Sequence, residues 1–205
     1  GAGKQYWFSN ATNFIFDSNG GGQLISGSSA SANIVYNSAN TFTTNGGSQN
    51  TISGTQGSSF NTNGNTQTFN VADGSDDTDL LVSARISNSG GIVKNGAGTL
   101  TLSAANSYTG TTTVSGGTLS LATGSSHSGS GAYTVGTDGT TATLKIADGL
   151  NLGTHAITIG LGGVISPGNS PGTAITGAQT WNDGGAYLWE INDMAGGKGV
   201  DSGWD

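Results

Sequence analysis

The sequence predicts an all-β chain wound into a single parallel β-helix, and three observations carry that prediction. Short apolar clusters recur about every ten residues along the 205-residue chain, each alternating apolar and polar positions. Asn-Gly and Asp-Gly pairs punctuate them at Asn19, Asn45, Asn63, Asp73, Asn95, Asp138, Asp148 and Asp183, supplying the positive φ that tight corners need. Finally, GAGTLTLS (Gly96–Ser103) returns as SGGTLSLA (Ser115–Ala122), with Leu100 and Leu102 matching Leu119 and Leu121 at an offset of 19 residues. A period near 20 built of strands and turns, with no helical segment, describes one coil per repeat. Coils stack ~4.8 Å apart, so roughly ten of them would make a rod ~50 Å long.

The clusters run in order through Leu24–Ile25, Ile34–Tyr36, Phe42, Ile52, Phe60, Phe69–Val71, Leu80–Val82, Ile92–Val93 and Leu100–Leu102. They continue through Val114, Leu119–Leu121, Tyr133–Val135, Leu144–Ile146, Leu150–Leu152, Ile157–Ile159, Val164–Ile165 and Ile175. Asp79–Ile86 holds the most helix-compatible residues, yet its pattern reads as two strands. Evenly spaced strands also suit a sandwich or a barrel. The 19-residue offset, strands of about three to five residues, and solvent positions rich in Ser, Thr and Asn favour the coil.

Composition bounds the function. Glycine fills 38 of 205 positions, about two and a half times ordinary usage, and the regular apolar pattern argues against disorder. Charged residues are 8% and the net charge is −7, so no basic stripe exists to bind nucleic acid or an anionic membrane surface. The absence of cysteine excludes disulfides and thiolate chemistry. No run of 18 apolar residues is present, so no membrane insertion by a helix is expected.

Residues 90–121, GGIVKNGAGTLTLSAANSYTGTTTVSGGTLSL, resemble the autotransporter-associated β-strand repeat, at Lys94, Gly96, Gly98–Leu102, Asn106, Tyr108–Gly110, Thr112, Val114 and Gly117–Leu119. Val71–Ser87 resembles the segment that often precedes this repeat, while Ile165–Gly177 and the Trp189–Asp205 end resemble what often follows. The resemblance implies a right-handed parallel β-helix in a large bacterial protein that is secreted or held at the cell surface. On this reading the chain is expected to be a structural part rather than an enzyme, with no cofactor other than a candidate calcium ion.

Several constellations invite chemistry. Asp73, Asp76, Asp77 and Asp79 cluster at one turn and offer hard oxygen ligands for calcium, although an EF-hand spacing would need glycine and glutamate where Thr78 and Ala84 stand. The competing reading is a solvated corner. Asp183, Glu190 and Asp193 form a weaker cluster. A glycan-cleaving reading would pair Asp77 with Asp79, or use Arg85 beside the acidic turn, whereas the plainer expectation pairs Arg85 with an aspartate. His127 and His155 lack metal-ligand spacing, and Gly196–Gly199 lacks the form of a phosphate loop.

Nine of fifteen aromatic residues, including every Trp, lie near the two ends of the 1–205 domain. Residues 1–16 hold Tyr6, Trp7 and Phe8, and residues 181–205 hold Trp189 and Trp204. Bulky residues there either cap an open coil or dock a second subunit. The second reading makes the chain a homo-oligomer stacked end to end into filaments. An adhesin-like module binding surface glycans through Tyr36, Tyr108 and Tyr133 is the alternative.

Overall fold

Strands of two to five residues, ended by glycine or polar corners, carry the whole of the described structure. The computed structural model describes residues 5–8, 13–16, 22–25, 33–54, 59–168 and 173–188. In chain order the strands are β1 (Gln5–Phe8), β2 (Asn13–Phe16), β3 (Gln23–Ile25), β4 (Asn33–Tyr36), β5 (Thr41–Thr44), β6 (Asn50–Ser53), β7 (Ser59–Asn61) and β8 (Gln67–Val71). Next come β9 (Leu80–Val82), β10 (Arg85–Ser87), β11 (Ile92–Asn95), β12 (Thr99–Leu102), β13 (Ala105–Asn106), β14 (Thr112–Val114), β15 (Gly117–Leu121) and β16 (Ser126–His127). The last are β17 (Tyr133–Val135), β18 (Ala142–Ile146), β19 (Asn151–Leu152), β20 (Ile157–Ile159), β21 (Gly163–Pro167), β22 (Ile175–Thr176), β23 (Gln179–Trp181) and β24 (Ala186–Tyr187).

Every third strand pairs in parallel, so the chain is a β-solenoid with three strand columns. The second column runs β2-β5-β8-β11-β14-β17-β20-β23 and the third β3-β6-β9-β12-β15-β18-β21-β24. The first column is β1-β4-β7-β10, followed by the separate pairs β13-β16 and β19-β22. Leu100 pairs with Leu119 and Leu102 with Leu121, the register the 19-residue offset predicts. Asp79–Ile86 divides between β9 and β10, also as expected. The count of roughly ten coils is not met, because the tallest columns hold eight strands. The early coils are longer than the repeat: Asn50 pairs with Leu80, thirty residues on.

Period-two alternation sends one ladder of side chains into the core from each strand position. In the second column the inward ladder reads Phe14, Phe42, Phe69, Lys94, Val114, Val135, Ile159 and Trp181. In the third, Leu80, Leu100, Leu119, Leu144, Ile165 and Tyr187 stack likewise. The early coils are filled by rings: Phe14 and Phe42 stack at 4.8 Å, Phe42 and Phe69 at 5.1 Å, and Tyr36 and Phe60 at 4.2 Å. Outward, Thr113, Thr134, Thr158 and Thr180 stand one above another. Asn95 donates to Asn70 across one coil boundary at 3.2 Å.

Candidate functional site

Lys94 is the third residue of the alternation Ile92-Val93-Lys94, so β11 sends it inward with Ile92. There it takes the place in the ladder between Phe69 and Val114 and is fully buried. Its ammonium donates to the carbonyls of Asn95 and Gly96, each at 2.9 Å, and of Gly116 in the next coil at 3.0 Å. Three donors meet three acceptors, which leaves no lone pair for nucleophilic chemistry. Gly96 turns with φ +82, and a Cβ there would lie 2.3 Å from the Val71 carbonyl. Burial pulls the Lys94 pKa down to about 8, opposed by the charge of Asp79. This is a structural tie between coils.

The acidic turn splits by depth. Asp73, Asp76 and Asp77 are exposed, whereas Asp79 is buried. One Asp79 oxygen, Oδ2, accepts the Thr99 backbone N–H at 2.7 Å, and Oδ1 is buried without a hydrogen bond. Gly74 and Gly98 leave room for the carboxylate, since a Cβ on either would come within 2.7 Å of it. Asp76 accepts the Gln49 N–H at 2.6 Å and braces the turn against the preceding coil. An open groove of about 690 Å³ runs beside the turn, past Thr99, Ser120 and Lys145. Among the described residues no three His, Cys, Asp or Glu side chains converge as metal ligands. Asp183 is exposed, and Glu190 and Asp193 lie outside the described residues.

With Asp79 engaged in the core and Asp77 at the surface, the proposed carboxylate pair does not share one face. Among the described residues Arg85 pairs with no aspartate. Its guanidinium donates to Ser107 Oγ at 3.0 and 3.2 Å.

A second buried polar group occupies the later coils. Tyr108 and Thr112 share a hydrogen bond of 2.7 Å, and the Tyr133 hydroxyl lies 3.2 Å from His127 Nδ1. His155 Nδ1 lies 2.7 Å from the Gly131 carbonyl, and its Nε2 lies 2.9 Å from the His127 carbonyl. Burial, then the neighbouring His155, pulls the His127 pKa down to about 4. Burial pushes the Tyr108 phenol up to about 12 and raises that of Tyr133 strongly. The sequence gives no period linking the two histidines, because they stand 28 residues apart in coils of unequal length.

Tyr36, Tyr108 and Tyr133 are core residues, so they are not stacking platforms for an external glycan. Of the predicted end residues, Tyr6, Trp7 and Phe8 lie on β1, paired with Ile34, Val35 and Tyr36 of β4. Trp189, Trp204 and Gly196–Gly199 lie outside the described residues.

The residues between Ile92 and Leu121 form a closed unit. β11 pairs with β14 and β12 with β15, so both ladders between adjacent coils close inside it. Asn106 accepts the Ile86 N–H at 2.9 Å where the first column breaks between β10 and β13. Gly110 passes so close to Gly91 that a Cβ would lie 2.3 Å from its nitrogen. Residues 92–121 match the Passenger-associated-transport-repeat, the repeat of autotransporter passengers. No curated protein and no solved structure matches the chain. One coil and two strands of the next therefore carry the repeat, and its Lys94, Asn106 and Gly110 each serve contacts between coils.

Beyond the repeat, the ends of the described structure differ from its middle. Exposed large apolar side chains are Ile15 in the first coil and Leu161, Ile175, Trp181, Tyr187 and Leu188 towards the other end. Trp181 and Tyr187 hold inward ladder positions above Ile159 and Ile165, yet both are 43% exposed, because no described strand covers β23 and β24.

Proposed function

We propose that this chain is a non-enzymatic structural segment of an exported bacterial passenger, exposed outside the cell or at its surface, that joins to further β-solenoid through its ends. The passenger repeat and the parallel solenoid support the structural role. The observation that carries the end contact is the exposed ladder position of Trp181 on β23. Trp181 stays 43% exposed although it continues an inward ladder above Ile159, and among the described residues β23 and β24 are the last strands of their columns. A surface of that kind is completed by another coil, and coils stacked head to tail form a non-closing contact that grows into filaments. Calcium at Asp73, Asp76 and Asp77 and glycan binding along the threonine columns are not needed for this role.

Sedimentation velocity across a hundredfold range of concentration, with electron microscopy of the same samples, tests the end contact. Association into rods of growing length is the expected result. A monomer at every concentration would overturn it.

A further inference from the structure

The His155 ring stands where the first column is interrupted. β16 and β19 do not pair, and the corner that follows β19 brings His155 beneath His127 and Gly131 of the preceding coil. Both His155 nitrogens point at carbonyl oxygens, at 2.7 and 2.9 Å. A carbonyl can only accept, so each contact needs an N–H on the ring. A neutral imidazole has one N–H. It satisfies one carbonyl and sets a lone pair against the other, inside a site where an unmet polar group is costly. Only the doubly protonated ring donates to both.

We propose that His155 is a proton-operated latch between adjacent coils. Protonated, it bridges Gly131 and His127. When the proton leaves, one bridge becomes repulsive and the corner loosens.

The surroundings favour a single charge at this point. The groups facing His155 are His127, with Tyr133 edge-on at a ring separation of 5.5 Å and Tyr108 beyond it. Among the described residues no Asp, Glu, Lys or Arg lines the site; its other members are Asn106, Thr112, Gly129 and Gly131. Ile175 and Gly177, from the following coil, bring no titratable group. His127 stays neutral: Nδ1 meets the Tyr133 hydroxyl and Nε2 is buried without a partner.

The latch holds a measurable bond. Next to it, the Tyr133 backbone N–H donates to the Ala156 carbonyl at 2.9 Å, across the same coil boundary. Imidazole ¹⁵N shifts and amide exchange, recorded on the intact chain from pH 5 to 9, read both halves of the proposal. The expected result is a His155 ring protonated on both nitrogens at the acid end. As it loses a proton, Tyr133 amide protection, corrected for intrinsic exchange, should fall by about tenfold. The variant His155→Gln, which carries no ring at that position, should lack the fall in Tyr133 protection that accompanies deprotonation of the ring. A His155 ring that is singly protonated throughout would overturn the proposal. So would deprotonation that leaves Tyr133 protection unchanged.

Discussion

The Lys94 ammonium donates to the Gly116 carbonyl at 3.0 Å, so a charged side chain stitches two coils together where the ladder otherwise carries aromatic or aliphatic groups. Replacing Lys94 by Met keeps the length and loses every donor. Three turn carbonyls then lose their donor inside the core and the Asp79 carboxylate loses its nearby positive charge, a change that costs about 3 kcal/mol or more. The denaturant midpoint of Lys94→Met should fall accordingly. Adding Asp79→Asn to it should recover part of the loss, and an unchanged midpoint in the single variant would mean the ammonium is dispensable.

Lys94 also sets an alkaline window. Its folded pKa of about 8 lies below the ordinary 10.5, so the unfolded chain binds more protons between those values. Stability therefore rises with pH from 8, by roughly 2 kcal/mol before other groups intervene. Above 10 the sign reverses. Burial raises the phenols of Tyr36, Tyr108 and Tyr133, so the unfolded chain loses protons the folded one keeps. A stability maximum between pH 8 and 10 is expected from urea titrations, with the rising limb absent in Lys94→Met.

The acid limb belongs to His127. Its folded pKa of about 4 lies below the usual 6.5, so the unfolded state takes up a proton the folded state refuses. Stability is complete above 6.5 and declines as pH falls towards 4, by up to about 3 kcal/mol. His127→Gln should flatten that decline when midpoints at pH 4.5 and 7 are compared.

How much of this was legible in the sequence depends on whether a feature repeats. Leu100 over Leu119 was readable because 19 residues make one coil there. The coil count was not, since Asn50 and Leu80 are separated by thirty residues and extra corner residues leave no mark in the alternation. Lys94 was legible in principle, because alternation places it on the face of Ile92; a lone lysine is simply read as solvated. The tyrosines misled for the opposite reason: Tyr36, Tyr108 and Tyr133 look like exposed platforms, yet each fills the core. The meeting of His127 and His155 depends on a broken column and two unequal loops, which no local pattern encodes.

Corner glycines differ in what they tolerate. A Cβ on Gly110 would sit 2.3 Å from the Gly91 nitrogen, and backbone cannot yield as a side-chain tip can. Gly110→Ala should therefore destabilise by about 3 kcal/mol or more, through forced separation of two coils. Gly124 has φ +79 and nothing within 4 Å of its Cβ position, so Gly124→Ala carries only the left-handed backbone cost of about 1–2 kcal/mol. Equal losses in the two variants would show that crowding between coils is not the constraint.

The open end makes the last prediction. Trp181 and Tyr187 lie with ring centroids 6.5 Å apart on β23 and β24, the last described strands of their columns. Large aromatic side chains anchor protein interfaces, and truncating such an anchor commonly costs about 2 kcal/mol or more of association. That corresponds to at least a thirtyfold weaker contact, by the factor of ten per ~1.4 kcal/mol. Neither ring is buried, so the fold should be nearly indifferent to their loss. Trp181→Ser combined with Tyr187→Ser should thus keep the melting temperature within a few degrees and abolish concentration-dependent rods in sedimentation. Persistent rods in that variant would move the contact to the first coil, where Ile15 is an exposed apolar side chain.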